Sequence, residues 1–428
     1  MQLTRSWRID FLHAQSEDRP FELNGIREES AWPGRSWEVG GFDLGEYRVR
    51  CLDAQDGSCF YQEGFSTDLG NSGPVEHSIR IPKPARPAEV LVDWRGSDGS
   101  FKNVWKAPVD PADAQIDRSP NRWETNREDI AVSGSPHLRV NLVMLGDGYR
   151  HDERDKFRAD ARRAAAYIFD VEPFRSRRSR FNVFSVFTPS SDSGITDDYL
   201  NVTKQTVFDT AYYSHGSERR IASSRHWMLH EAAGAAPYDF VLLLVNARRY
   251  GGSGGYRCPA VAAMDSGSAR YLVVHELAHT IGGLSDEYYF GRGTAPAFSG
   301  EAEPWQPNVT TMRARKPKWD VGSQVPSRWK KDDYEAYFEG YVNRYLELRA
   351  QRVEENLIDT FIEDELKIAA KILAESEPGP GLFEGARHYA SGIFRCEPDC
   401  TMFTLRPDRF CRACSDALAR AIDHLSQA

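Results

Sequence analysis

Tyr271-Leu-Val-Val-His275-Glu276-Leu-Ala-His279-Thr-Ile-Gly282-Gly283-Leu-Ser-Asp286-Glu287-Tyr288-Tyr289 decides how the rest of the chain is read. It contains His-Glu-x-x-His. On a helix, His275 and His279 stand one turn apart on one face, so their imidazoles can converge on one metal ion. Glu276 sits beside the first histidine, where a carboxylate can take a proton from a water activated by that metal. Gly282-Gly283 predicts the end of the helix, because glycine tolerates the left-handed position after the last turn. The chain can then swing back, and Asp286 is the natural third ligand, with Glu287 its rival. Val273, Val274, Leu277, Ala278 and Ile281 make the helix apolar almost all round, which predicts burial. Two histidines and a glutamate buried together are costly without a cation. The stretch therefore predicts a Zn2+ site.

The bulk composition fits a folded protein with sizeable cores. Of the 428 residues, 40% are hydrophobic and 12% aromatic, and the length predicts two or three domains. Sixty-three acidic against 54 basic residues give a net charge of −9, which disfavours nucleic acid as the main partner. No apolar run is long enough to span a membrane. The first ten residues lack a signal-peptide apolar core.

Residues 1–125 read as a small antiparallel β-sandwich. Arg8–His13, Tyr47–Leu52, His77–Ile81 and Val90–Trp94 alternate apolar with polar, and turn signals such as Asp56-Gly57 and Ser97-Asp98-Gly99 separate them. Trp37, Trp94, Phe101 and Trp105 read as core. Residues 126–428 then alternate strands with helices, which predicts a mixed, largely parallel sheet. Leu138–Leu145, Phe181–Phe187 and Phe240–Asn246 are the strands, with a helix at about 152–170. The Gly-rich Tyr250–Tyr256 lacks a phosphate-loop ending and suggests close backbone approach, as at an edge strand that pairs with an extended peptide. A helical insertion at about 330–376 carries an apolar face (Tyr341, Tyr345, Val353, Leu357, Phe361).

Taken together, these motifs resemble the IgA-peptidase family of zinc metallopeptidases, M64. The core His-Glu-x-x-His-x-x-x-Gly-Leu-x-Asp-Glu-Tyr-Tyr is met by His275 through Tyr289. Leu145-Gly-Asp-Gly-Tyr149, Glu172-Pro-Phe, Arg180-Phe-Asn-Val, Ser190-Ser-Asp-Ser-Gly194, Tyr250-Gly-Gly, Gly381-Leu-Phe-Glu-Gly-Ala, Cys400-Thr-Met402 and Phe410-Cys-x-x-Cys414 extend the match. Arg8-Ile-Asp-Phe and Arg80-Ile-Pro resemble its N-terminal part. The family is similar to the metzincin clan, so the resemblance implies a metzincin-like α/β metallopeptidase domain. The clan's spacing lands on Ser285. A shift of one residue uses Gly283 and Asp286. Cys400-Thr-Met402 resembles the clan's Met-turn, with Met402 its methionine and Met312 a weaker candidate. Tyr389, Tyr288 and Tyr289 are candidate oxyanion donors, Tyr389 foremost, and Glu384 is expected in a supporting contact.

These readings imply a zinc endopeptidase acting on proteins or peptides, with His275, His279 and Asp286 as ligands and Glu276 as general base. A zinc-containing binding protein and an amidase or deacylase on a non-protein amide are the alternatives. Cys396, Cys400, Cys411 and Cys414 admit a structural tetrathiolate zinc site or disulfides, and the resemblance tips the choice towards disulfides. It also implies a secreted or periplasmic protein, while the missing signal core keeps a cytoplasmic location open. The oligomeric state and the substrate are not specified by these motifs.

Overall fold

The computed structural model describes residues 5–14, 21–29, 32, 42–67, 74–289, 296–300, 302–311, 318–321, 325–406 and 408–426. Trp37 and Met312 lie outside them. Among the described residues seven strands come first: β1 (Ser6–His13), β2 (Phe21–Glu29), β3 (Tyr47–Asp53), β4 (Cys59–Phe65), β5 (Val75–Pro82), β6 (Ala88–Arg95) and β7 (Phe101–Val109). They form two antiparallel sheets, ordered β2-β1-β5 and β4-β3-β6-β7. Trp7, Ile9 and Phe11 of one sheet share a core with Val49, Cys51, Val90 and Val92 of the other. Period-two alternation places these side chains on the facing surfaces. Trp94 and Trp105 pack against this core partly buried.

The opposite face of β1 is also buried, and it is charged. Arg8 pairs with Asp10 at 2.8 Å, Ser78 donates to Asp10 at 2.6 Å, and Arg80 pairs with Glu29 at 2.8 Å. Arg80 donates onward to the Tyr238 carbonyl. This network is where the N-terminal sheets dock on the remainder of the chain. The docking explains why Arg8-Ile-Asp and Arg80 carry charge in strands that have no wet face.

The second part runs β8 (Arg127–Ala131), β9 (Val140–Asp147), α1 (Arg154–Phe169), β10 (Phe181–Val186), β11 (Thr210–Tyr212), β12 (Ile221–Ser223), α2 (His226–Ala233), β13 (Phe240–Val245), β14 (Gly252–Ser253), β15 (Ala260–Ala263) and α3 (Ala269–Gly282). It closes with β16 (Val309–Thr310), α4 (Lys331–Ala350), α5 (Glu355–Leu373), β17 (Phe383–Ala386), β18 (Tyr389–Arg395) and α6 (Arg412–Leu425). The chain is thus a mixed α/β protein with an antiparallel β-rich N-terminal region.

Six strands form the central sheet, in the order β14-β15-β13-β9-β10-β8. Its four inner strands are parallel and fully buried, and β8 and β14 close the edges antiparallel. Near-continuous apolar runs such as Phe240–Val245 suit strands covered on both faces. Asp147, fully buried at the end of β9, accepts from Ser190, Phe208 and Thr210, the last hydroxyl at 2.6 Å. The Leu145-Gly-Asp-Gly-Tyr motif is therefore a loop organiser. Helix α3 follows β15 directly, packs back on it, and is flanked by α1 and α6.

Candidate metal centre and cleft

Helix α3 is buried from Tyr271 to Gly282. Gly283 ends it at φ 61°, its N–H bonding the His279 carbonyl at 3.0 Å. A Cβ there would meet Tyr256 and Trp305 at 3.1 Å, so the break needs glycine for space as well as for φ. The chain then returns past the helix face. Asp286 Oδ1 comes within 3.2 Å of His275 Nε2 and 3.4 Å of His279 Nε2, and the two Nε2 atoms are 3.1 Å apart.

The protons of these rings are fixed by their other nitrogens. His279 Nδ1 donates to the Leu284 carbonyl at 2.7 Å, and His275 Nδ1 to the Thr401 carbonyl at 3.0 Å, with the Tyr271 hydroxyl 2.9 Å from the same nitrogen. A carbonyl only accepts, so each Nδ1 carries hydrogen and each neutral ring presents a lone pair at Nε2. Two lone pairs and a carboxylate oxygen thus converge with no donor among them, and Asp286 Oδ1 is buried without a hydrogen bond. Such a point suits a cation. Tetrahedral zinc at about 2.0–2.1 Å from N and O ligands would set them about 3.3 Å apart, and the three separations fit. In the absence of metal a proton takes the role. Burial opposes charging His279, but Asp286 beside it prevails and raises its pKa to about 9. Burial likewise opposes the Asp286 charge, and the two histidines overcome it, holding the carboxyl well below its usual range.

Glu276 lies against the same point. Burial pushes its pKa up, partly offset by the two histidines. Its carboxylate abuts the glycine-rich segment: a Cβ on Gly252 would stand 2.9 Å from Glu276 Oε1, and one on Gly254 2.5 Å from the Glu276 carbonyl. Close backbone approach was the expected use of these glycines. Strand β14 is indeed the end of the sheet, but residue 220 already bridges its outer side at Gly252. The expected free edge for an extended peptide is therefore occupied there.

A cleft of about 390 Å³ opens on His275, Glu276, His279 and Asp286. Tyr334, Tyr337, Phe338 and Tyr341 of α4, with Ile362 and Leu366 of α5, wall one side. On the other side of His279 and Asp286 a more polar cavity continues, bordered by Ser66, Thr67, Ser223, His226, Gln306 and Arg387.

Asp286 joins the histidines, whereas its rival Glu287, fully buried, turns the opposite way. Glu287 Oε1 lies 3.1 Å from Cys414 Sγ and 3.5 Å from Cys411 Sγ. Met402 is fully buried, and its carbonyl accepts the Glu287 N–H at 2.7 Å. The turn's direct contact with a site histidine comes from the preceding Thr401 carbonyl. Tyr389 is a correction: it packs edge-on against Phe298 at 5.2 Å and does not line the cleft. Alternation on β18 turns it from the site, and the hairpin residue before it, His388, reaches in, 3.5 Å from Asp286 Oδ2. Tyr288 borders the cleft, its ring 5.1 Å from His388. Tyr289 points to Glu335 at 3.0 Å, and Glu384 pairs with Lys331 at 3.1 Å.

His388 escaped the sequence reading. Its signal was a two-residue β-hairpin turn, Arg387-His388, with both residues at positive φ (53° and 64°) where Asn-Gly is favoured. Non-glycine residues held in that region concentrate at functional sites. The expected disulfides are a second correction, for Cys396, Cys400, Cys411 and Cys414 are not bridged to one another. The tetrathiolate alternative is altered too: Glu287 stands with Cys400, Cys411 and Cys414, and Cys396 is outside that group.

Fold and site together define a class: an α/β chain whose buried helix brings a metal-ligand set and an acidic neighbour to a cleft, a candidate metallohydrolase. Comparison of families is narrower. The model described as IgA Peptidase M64 matches residues 129–422, and the chain belongs to this family of metallopeptidases. The match begins inside β8, so both N-terminal sheets lie outside it. No curated protein matches the sequence significantly.

Proposed function

We propose that this chain is a zinc-dependent endopeptidase with His275, His279 and Asp286 as the metal ligands and Glu276 as the general base. The observation that carries the reading is the convergence of His275 Nε2, His279 Nε2 and Asp286 Oδ1 within 3.4 Å of one another, beside a buried carboxylate. Zinc, when held, supplies Lewis acidity and lowers the pKa of a coordinated water towards about 7. The remaining work falls to the chain. Glu276, its pKa raised by burial, takes the proton of the attacking water and passes it to the leaving amine. His388, 3.5 Å from Asp286 Oδ2 and half-exposed at the cleft, donates to the oxyanion that forms on the substrate carbonyl.

Endopeptidase action is supported by the cleft running on past both sides of the ligand set. The aromatic wall of α4 favours an apolar or aromatic side chain next to the scissile bond. We also read the N-terminal sheets as a sandwich domain, residues 1–125, and residues 126–428 as a metzincin-like domain. The shared core of the two sheets, and the 400–402 turn under His275, support those readings. A peptide-library digest with and without chelator is the test. Cuts at internal bonds that vanish on chelation are expected. Release of terminal residues only, or cutting that survives chelation, contradicts the reading. Cleavage restricted to non-peptide amides would favour the amidase alternative.

A further inference from the structure

Behind the Asp286 segment, away from the cleft, lies a second convergence that the proposed peptidase reaction does not use. Glu287, Cys400, Cys411 and Cys414 are each at most 1% exposed, and one ligand atom from each lies within 4.8 Å of all the others. Cys400 and Cys414 sulfurs are 3.7 Å apart, and Glu287 Oε1 is 3.1 and 3.5 Å from Cys414 and Cys411. A tetrahedral zinc about 2.3 Å from sulfur and 2.0–2.2 Å from oxygen would set S···S at about 3.8 Å and S···O at about 3.5 Å. The cluster already has nearly those dimensions.

The backbone is arranged for sulfur that carries negative charge. Cys400 Sγ accepts the N–H groups of Met402 at 3.4 Å and Cys411 at 3.2 Å. Cys411 caps α6, its Sγ accepting the Cys414 N–H at 3.5 Å. Amide donors and a helix N-terminus both favour thiolate over thiol. The carboxylate adds a second feature that suits a cation. Glu287 is fully buried, Asn308 donates to its Oε1 at 3.0 Å, and its Oε2 has no hydrogen bond. The buried Arg395 nearby gives its hydrogen bonds to the carbonyls of Glu384, Gly385 and Pro398 and acts on the Glu287 charge only through space.

We propose that Glu287, Cys400, Cys411 and Cys414 hold a second, structural zinc ion. Three soft sulfurs and a carboxylate in a closed, dry tetrahedron select zinc over oxygen-seeking cations. On binding, the thiols release their protons to solvent, and no oxidant is involved. Cys396, in contact with Cys411, stays outside the ligand set. The ion would tie two segments that hold the catalytic ligands. Glu287 follows Asp286, and Cys400 precedes Thr401, whose carbonyl orients His275. Residues of this kind, behind the primary ligands, typically change metal affinity 10–100-fold when altered.

The proposal is independent of the peptidase reading and is tested on the whole chain, purified under reducing conditions. Native mass spectrometry and elemental analysis should find about two zinc ions per chain, and about one in the His275→Ala/His279→Ala double variant. Cobalt substitution of that double variant should give the intense near-ultraviolet thiolate-to-cobalt band, which needs no cysteine variant to fold. Cys414→Ser should remove one ion and the band, and Cys396→Ser should keep both. Loss of all zinc from the double variant, a Cys400–Cys414 disulfide in the peptide map, or no thiolate band in the double variant would overturn the site, whereas a single ion that the double variant keeps would overturn only the His275, His279 and Asp286 ligand set. Loss of the ion in Cys396→Ser would overturn Glu287 as the fourth ligand.

Discussion

Glu276 and Asp286 carry most of the chemical argument at the scale of single residues. Glu276→Gln removes the base but leaves the ligand atoms, so zinc content should be unchanged while turnover falls by about 10²–10⁴-fold. Gly252→Ala is predicted to be nearly as damaging. The added Cβ would meet the Val261 carbonyl at 2.8 Å and Glu276 Oε1 at 2.9 Å, displacing the carboxylate without touching a ligand. Steady-state assays with metal analysis check both, and an active Gly252→Ala enzyme would contradict the placing of Glu276.

A pH dependence follows from the histidines. In the metal-free protein the His279 pKa is about 9, above its ordinary 6.5. The imidazolium's contribution to apoprotein stability is therefore complete below about 6.5 and is lost as pH rises through about 9. Zinc must displace that proton, so its affinity should rise across the same window, and a chelator-competition titration measures it. Asp286→Asn should flatten the stability profile. His275, Glu276 and His279 were legible as one cluster because three or four residues of helix fix their relation. Asp286 over Glu287 was a choice between neighbours that depends on which way the chain turns after Gly283. Tyr389 failed for the same reason, one residue off in a hairpin whose register the sequence does not display.

Helices α4 and α5 are the elements that shape the cleft. Their 3.6-residue period was readable, and both form as an antiparallel pair over nearly the expected span. The destination of the stripe Tyr334, Tyr337, Phe338 and Tyr341 was not readable, because an apolar face is the same whether it meets a core or a substrate. Here it packs and also borders the cleft: Tyr334 stacks on Phe338 at 6.0 Å and tilts against Phe403 at 4.9 Å, while the stripe fronts the cleft. Phe338 is only partly buried, so Phe338→Ala should fold normally. We predict that it raises KM for peptides with an aromatic residue beside the scissile bond and leaves kcat and zinc content nearly unchanged. Equal loss across all peptides would argue that α4 is only scaffold.

Across the whole molecule, the N-terminal sheets take part in the site that lies outside their own core. The Ser66 N–H bonds the Tyr256 carbonyl at 2.9 Å, the Cys258 thiol donates to the Ser66 carbonyl at 3.1 Å, and Trp227 Nε1 donates to the His77 carbonyl at 3.1 Å. Ser66 and Thr67 thereby border the polar half of the cleft. The sequence separated the two regions near residue 125 through the change from alternating strands to strand–helix units. It concealed their docking, because the Arg8, Asp10, Glu29 and Arg80 network looks in sequence like an ordinary polar face. The central claim is that one metal held by His275, His279 and Asp286, with Glu276 as base, hydrolyses internal peptide bonds. Cleavage-site profiling of a peptide library by zinc-loaded wild type and by Glu276→Gln, each with its metal content measured, tests it most directly. Internal cuts by wild type, and an uncut library with equal zinc in the variant, are predicted; equal cutting by both proteins would contradict the account.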